Sequence, residues 1–409
     1  MTSAPSDNAA AITARCCIAG GGPAGMMLGL LLARAGIDVV VLEKHEDFLR
    51  DFRGDTVHPS TLEVMHELGL LDRFLTRPHE KIETIGVQIG AGTFQVADFR
   101  HLPTVCRFVA LMPQWDFLNF LAQEGARYPG FRLLMRTEAT GLLRRDGRVA
   151  GVTGSSPDGP LEIHAELTVA ADGRGSALRE TAGLHVTNLG APMDVLWLRL
   201  SRLASDPAGT LGRIDAGRMF VTLNRGDYWQ CAYVIPKGGD ATVRAAGLDA
   251  FRSEISRLAP HFRDRVHEIA DWEAVKLLTV AVNRLPEWHL DGLLCIGDSA
   301  HAMSPIGGVG INLAIQDAVA AANIVAPRFQ RGSVTRDDLR AVQRRREFPT
   351  RMTQRMQLLI QNRLISGILS STVARAPPWA VRMLDRCPMM RRLPARILGM
   401  GFRPEHIRH

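Results

Sequence analysis

Apolar residues in the first part of the chain fall into short runs separated by a glycine-rich joint. Residues 14–19 and 37–42 are largely apolar stretches of strand length, with Arg15 and Asp38 as their only charges, the pattern of parallel strands buried on both faces. Between them residues 26–34 are long enough for a helix, which Gly36 closes. The joint reads Gly20-Gly21-Gly22-Pro23-Ala24-Gly25. A strand, a glycine turn, a helix and a strand within about 30 residues predict the opening of a Rossmann-like α/β unit.

The pattern then changes several times. A polar loop over residues 51–60 leads into a helix over 61–68, and residues 86–99 form a hairpin turning at Gly90-Ala91-Gly92. Residues 116–127 suit a helix, with Gln114 just before its start. Short strands fill 133–168, with turns at Asp146-Gly147 and Pro157-Asp158-Gly159. An apolar strand then ends in Asp172-Gly173-Arg174-Gly175-Ser176. Residues 195–200, 219–223 and 228–235 read as antiparallel strands and 246–258 as a helix. Residues 293–323 return to the first pattern: a buried strand, the carboxylate Asp298, a Pro/Gly turn and a helix that begins in glycines. Arg336–Ile360 is a long basic helix, and Pro377-Pro378, Pro388 and Pro394 break the remaining residues into short amphipathic pieces.

This order predicts three parts. A discontinuous Rossmann-like α/β domain takes residues 13–75, 105–185 and 290–335. An inserted antiparallel-sheet domain takes 76–104 and 186–289, and a C-terminal helical region takes 336–409.

Composition narrows the class of protein. Hydrophobic residues at 46% and charged residues at 22% suit a soluble enzyme, and no internal repeat is visible. The net charge is +7, yet 17 arginines stand against 5 acidic residues from Arg331 onward, so the body is mildly acidic. Without a recognition motif, this asymmetry does not indicate nucleic-acid binding. The tail sets Met389, Met390, Leu393, Ile397, Leu398 and Met400 among arginines. That pattern suits an acidic membrane surface or, as the preferred reading, packing on the first domain or on a second subunit of a homodimer. Six cysteines lack CxxC or Cys/His metal spacing, so no metal is expected and the thiols suit a reduced, cytoplasmic location. The long uncharged run over 16–33 is interrupted by its glycines and is not expected to span a membrane.

The glycines carry the first chemistry. Gly20 permits a tight turn, Gly22 lets the backbone approach a pyrophosphate, and Gly25 lets helix and strand pack closely. Glu43, 18 residues beyond Gly25, is placed to accept from ribose hydroxyls. The helix start over 305–312 points unpaired N–H groups at an electron-rich partner.

Three motifs stand in order: GGGPAG with Glu43, ADGRGSALR at 171–179 and CIGDSAHAMSPIGGVGIN at 295–312. Together, over about residues 13–325, they resemble the p-hydroxybenzoate hydroxylase family of single-component flavin monooxygenases. The resemblance implies FAD, with Gly20, Gly22, Ala24 and Gly25 at the pyrophosphate, Glu43 and Lys44 near the adenosine ribose, and Arg53 and Gln114 as further polar contacts. It implies Gly297 and Asp298 at the ribityl chain, and Pro305, Gly308, Gly310, Ile311 and Asn312 at the flavin ring. Asp172 would support FAD and the nicotinamide cofactor, with Arg174 or Arg179 adding charge; alternatively Asp172 caps the next helix and the arginines form ion pairs.

The chemistry implied is reduction by NADPH or NADH, addition of O2 at flavin C4a, and transfer of the distal hydroperoxide oxygen to an aromatic or polycyclic small molecule. His58, Tyr228 and Tyr233 are the candidate catalytic residues, while His301 reads as structural, bonded within its turn. Strand alternation puts Tyr228 and Gln230 on one face and Trp229 and Tyr233 on the other, and one of these faces should cover the flavin. The chain departs from the family in reading Gly307-Gly308-Val309-Gly310 where GQG is commoner, and it has only three tyrosines. A simple benzoate is therefore not the expected substrate. The alternatives are a flavin oxidoreductase without oxygen insertion, resembling geranylgeranyl reductases or halogenases, and a non-catalytic flavin-bound module. The WxWxIP signature of tryptophan halogenases is absent.

Overall fold

A computed structural model describes residues 10–49, 56–207, 211–369 and 377–408. Its first sheet is centred on Ala10–Ala19, which pairs in parallel with Gly159–Ala170 on one side and Val39–Leu42 on the other. Phe131–Leu134 extends the sheet beyond Val39–Leu42, and Leu293–Cys295 extends it beyond Gly159–Ala170. The register decides where the chemistry falls. Ala19 pairs with both Ala170 and Leu42, and Ala170 pairs with Cys295, so the carboxyl ends of four strands line up. The Gly20 turn, Glu43, Asp172 and Asp298 all come within a few residues of that edge. Open α/β sheets bind ligands there.

Helices Pro23–Arg34 and Gly310–Arg331 pack together on this sheet through Met26, Met27, Leu30, Ile315 and Val319, all buried. Gly310–Arg331 lies in the one stretch among the described residues long and apolar enough to cross a membrane, but 72% of its apolar window is buried in this core. The opposite face carries Val40, Ile163 and Trp288. An antiparallel ribbon of Glu138–Arg145 and Arg148–Ser156 joins the sheet through Gly159–Ala170.

The second sheet has seven strands. Lys276–Leu278, Met193–Ser201, Tyr228–Pro236, Arg218–Asn224 and Leu211–Asp215 succeed one another antiparallel, and the hairpin Thr84–Ile89 and Gly92–Asp98 completes the sheet. Alternation splits its side chains cleanly. Leu196, Leu198, Tyr233 and Ile235 pack against helix Leu248–Leu258, whereas Met193, Val195, Ala232 and Val234 face the other way. The helix expected over 246–258 is present as Leu248–Leu258, and a further short helix, Asp240–Ala245, precedes it. Gly247, at φ +91°, breaks the path between them.

Arg336–Ile360 begins with a capping box, in which the Thr335 side chain accepts from Asp338 N–H and the Asp338 carboxylate accepts from Thr335 N–H. Its first turns bury Leu339 and Val342, but the rest of its buried face is largely polar. The Gln354 amide donates to Asn283 O and Ala302 O, and the Gln357 amide to Ser304 O and Ile306 O. The helix continues into a π-helical turn, Gln361–Ile365, where Gln361 donates to Ser304 Oγ at 2.6 Å. The tail ends in Trp379–Arg386 and Arg392–Met400. Pro394 does not break the chain as expected. It lies in the first turn of Arg392–Met400, where a missing N–H leaves no intrahelical bond unmade.

Candidate active site

A cavity of about 1080 Å³ runs from the Gly20 turn, past Pro305–Gly308, to the Val195 and Val234 face of the second sheet. Ile365, Pro378, Val381 and Leu398 of the C-terminal region complete its wall.

At one end stands the glycine turn. Gly20 has φ +109°, and a Cβ there would lie 2.3 Å from Ala171 O. At Gly25 a Cβ would lie 2.0 Å from Gly20 O, so helix and turn touch through backbone alone. Gly22 differs, because a Cβ would meet nothing within 4 Å. The protein itself has no need of a bare position there. Gly22 and Ala24 line the cavity, and the N-terminus of helix Pro23–Arg34 opens on to it. Glu43 Oε2 accepts from Gly21 N–H at 3.2 Å and Oε1 from His45 N–H at 3.1 Å, which fixes the carboxylate at the rim. Lys44 is exposed and 3.5 Å from Glu138. Gln114 lines the cavity as the first residue of helix Gln114–Gly125 rather than preceding it. Arg53 lies outside the described residues.

Asp172 contributes to the helix start with one oxygen only. Its Oδ2 accepts from Leu178 N–H at 3.3 Å, while Ser176 Oγ caps the helix by accepting from Arg179 N–H at 3.1 Å. Its Oδ1 is buried without a partner among the described residues, in the cavity wall. Burial, the largest influence, raises the carboxyl above its ordinary range despite hydrogen bonds from Ser176 and Leu178. An orphaned acceptor at a cavity wall fits a hydroxyl-bearing or amide-bearing ligand. The two arginines divide. Arg174 Nε contacts Asp298 Oδ2 at 3.0 Å, whereas buried Arg179 spends its guanidinium on Ser299 O at 3.0 Å and Arg174 O at 2.7 Å. Arg179 is therefore a brace between motifs and does not reach a phosphate.

The second glycine loop is tightly held. Gly307 and Gly308 have φ of +75° and +62°, and a Cβ on Gly308 would lie 2.2 Å from Thr56 Oγ1. Thr56 Oγ1 donates to Gly308 O at 2.8 Å. Asn312 Oδ1 accepts from His58 N–H and Thr61 Oγ1, each at 2.8 Å, and its amide donates to Thr56 O at 3.0 Å. Asn312 thus ties the loop to residues 56–61 and lies behind the wall, while Pro305, Gly308, Gly310 and Ile311 form the wall. Gly297 is also behind it, donating to Asp317 Oδ2 at 3.1 Å. His301 is structural, but its partner is not in its own turn: Nε2 lies 2.6 Å from Asp317 Oδ2. Arg346 Nε donates to the other Asp317 oxygen at 2.9 Å.

Of the catalytic candidates, only His58 lines the cavity. Its Nδ1 donates to Leu398 O at 2.6 Å, and burial lowers its pKa to about 4, so the ring is neutral at pH 7. Tyr233 is a correction. It lies on the face away from the cavity, edge-on to Phe251 at 5.5 Å, and burial raises its hydroxyl to about 12. Tyr228 shares the parity of Gln230 but sits under the Arg199 guanidinium at 3.7 Å, outside the wall. The face that does line the cavity carries Trp197, Gln230 and Val234. Sequence reasoning passed over Gln230, although alternation had separated it from Tyr233. It also missed Arg363 and Leu398, whose place in the wall depends on how the tail docks.

These features fit FAD: a bare glycine at a helix start, an acidic residue after the second strand, an orphaned acceptor at the third motif and a long cavity. The FAD binding domain family matches residues 13–356. The chain is 32% identical over 384 residues to 6-methylpretetramide 4-monooxygenase of Streptomyces rimosus, covering 93% of this chain and 91% of that protein. It is 29% identical to rifampicin monooxygenase of Streptomyces venezuelae, covering 74% of this chain but 61% of that longer one. Among solved structures, p-nitrophenol 4-monooxygenase of Pseudomonas putida shares the fold at TM-score 0.77 and 19% identity, over 94% of this chain and 97% of that one. The chain belongs to the FAD binding domain family, among the FAD-dependent monooxygenases of the p-hydroxybenzoate hydroxylase-like type.

Proposed function

We propose that this monooxygenase takes NADPH or NADH as reductant and hydroxylates an aromatic, polycyclic small molecule with O2, in the cytoplasm. The observation that carries the reading is the continuity of the cavity. One space joins the glycine turn and Asp298 to a broad apolar sheet face, so that a long cofactor and a flat substrate can share it. The substrate class of the Streptomyces rimosus relative, named for a pretetramide, agrees with that face.

FAD, when bound, would supply the redox chemistry that activates oxygen; the chain supplies position and environment. Gly22 and the first N–H groups of helix Pro23–Arg34 would receive the pyrophosphate, and Glu43 the ribose. Asp298, steadied by Arg174, would accept from the ribityl chain. The N–H groups opening helix Gly310–Arg331 would face the electron-rich edge of the ring. Met193, Val195 and Val234 exclude water from the substrate side. His58 holds its Nδ1 proton on Leu398 O, which makes it a brace for the tail and a poor proton acceptor.

The test is a turnover experiment with labelled oxygen. The purified protein would be checked for bound FAD, then given NADPH or NADH with hydroxylated tetracyclic phenols under 18O2. A product carrying one labelled oxygen is the expected result. Nicotinamide oxidation that reduces the substrate and incorporates no label would instead establish the oxidoreductase alternative.

A further inference from the structure

We propose that Arg363 is a specificity residue that binds an acidic group of the substrate, a carboxylate or an ionised enol, within the apolar half of the chamber. The proposal rests on the reading of that half as the substrate site.

The wall contributed by the second sheet is built from residues such as Met193, Val195 and Val234, and among the described residues it brings no lysine or arginine to the cavity. Two charged side chains nevertheless line that half. Asp215 is engaged by Arg257 at 2.8 Å. Arg363 is exposed where it lines the cavity and makes no hydrogen bond or ion pair with any described residue. A guanidinium does not shed its proton, and its planar fork of donors matches two adjacent oxygens of one anion.

Its placement is constructed rather than incidental. Arg363 lies inside the π-helical turn Gln361–Ile365, a local irregularity that frequently marks functional sites. Shortly before it, Gln357 and Gln361 fasten the helix to Ser304 and Ile306, beside the glycine loop. The arginine is thereby delivered from the C-terminal region to the cavity. An acidic group held there orients the attached ring system and keeps an ionised, electron-rich ring without a protein base.

The experiment uses the FAD-loaded protein without nicotinamide, so that only equilibrium binding is read. Anthraquinone-2-carboxylate and its methyl ester are titrated against the bound-flavin absorbance for the unaltered protein, Arg363→Gln and Arg363→Lys. Arg363→Gln is expected to weaken the acid about tenfold or more and the ester less than about twofold, with Arg363→Lys between. Equal weakening of acid and ester, no weakening of the acid, or failure of the unaltered protein to prefer the acid overturns the proposal. Loss of FAD from Arg363→Gln also overturns it, because the arginine would then belong to the cofactor site. No turnover is involved, so these outcomes are independent of whether labelled oxygen reaches a product.

Discussion

Arg174 and Asp298, 124 residues apart in the chain, meet with Nε 3.0 Å from Oδ2 and so join the second and third motifs across the cavity wall. Both side chains are about a third exposed, at 35% each, so solvent screens the pair and its worth to folding is small. Its value is orientation: it holds the Asp298 carboxylate in place along the wall. Replacing Asp298 with Ala should therefore change thermal stability of the apoprotein by less than about 1 kcal/mol. FAD affinity should fall about tenfold or more, as expected when a charge-assisted hydrogen bond is lost. Fluorescence titration of apoprotein with FAD measures it, and unchanged affinity would remove Asp298 from the cofactor site.

Two glycines of the first turn separate a structural requirement from a ligand requirement. Gly25→Ala drives a methyl into Gly20 O, which cannot give way without moving the turn, so both folding and FAD uptake should suffer. Gly22→Ala has open space around it and φ −75°, which suits alanine. Apoprotein melting should stay within about 1 kcal/mol, the cost of alanine at a helix N-cap, while FAD binding weakens by at least about tenfold. If Gly22→Ala keeps full FAD affinity, the pyrophosphate does not approach there.

His58 sets a pH dependence whose sign is fixed by burial. Its folded pKa, about 4, lies below the ordinary 6.5, so between these values the unfolded chain binds the extra proton. Stability from this residue is complete above about pH 6.5 and is lost as pH falls toward 4, by about 3 kcal/mol in all. Urea unfolding at pH 5 and pH 7 should show that slope, and His58→Asn should flatten it. A slope indifferent to the substitution would mean that other groups carry it.

The parts of this molecule that were legible in its sequence are those where backbone geometry admits few residue types. Gly20 at positive φ and Gly25 against a carbonyl are such positions. The face of a strand was legible only as a pair of choices. Parity separated Gln230 from Tyr233, but Phe251, on a helix with no pairing signal to the strand, decides which of them looks inward. The tail was least legible. Its helix Arg336–Ile360 was visible, yet glutamines buried against Ser304 and Ile306 read in sequence as solvated polar residues. Only docking turns them into clamps and brings Arg363 and Leu398 to the wall.

A buried carboxylate anchors the third motif. Asp317, fully buried, accepts from Gly297 N–H, His301 and Arg346, and Arg346 is 1% exposed. Burial pushes the carboxyl up, but His301 and Arg346 outweigh it and hold Asp317 below its ordinary range. The resulting stabilisation is present above the ordinary aspartate pKa and is lost as pH falls through the lower folded value. Removing one partner leaves a buried charge uncompensated, so Arg346→Met should cost about 3–5 kcal/mol, seen as a lowered melting temperature. Asp317→Asn with Arg346→Met should recover part of that loss, because no unpaired ion remains. The single Asp317→Asn change should also weaken FAD binding, since Gly297 N–H loses its anionic acceptor next to Asp298. If FAD binding tracks Asp317 but not Arg346 at equal stability, the carboxylate positions the Asp298 turn; if both variants lose FAD in proportion to stability, its role is confined to the core.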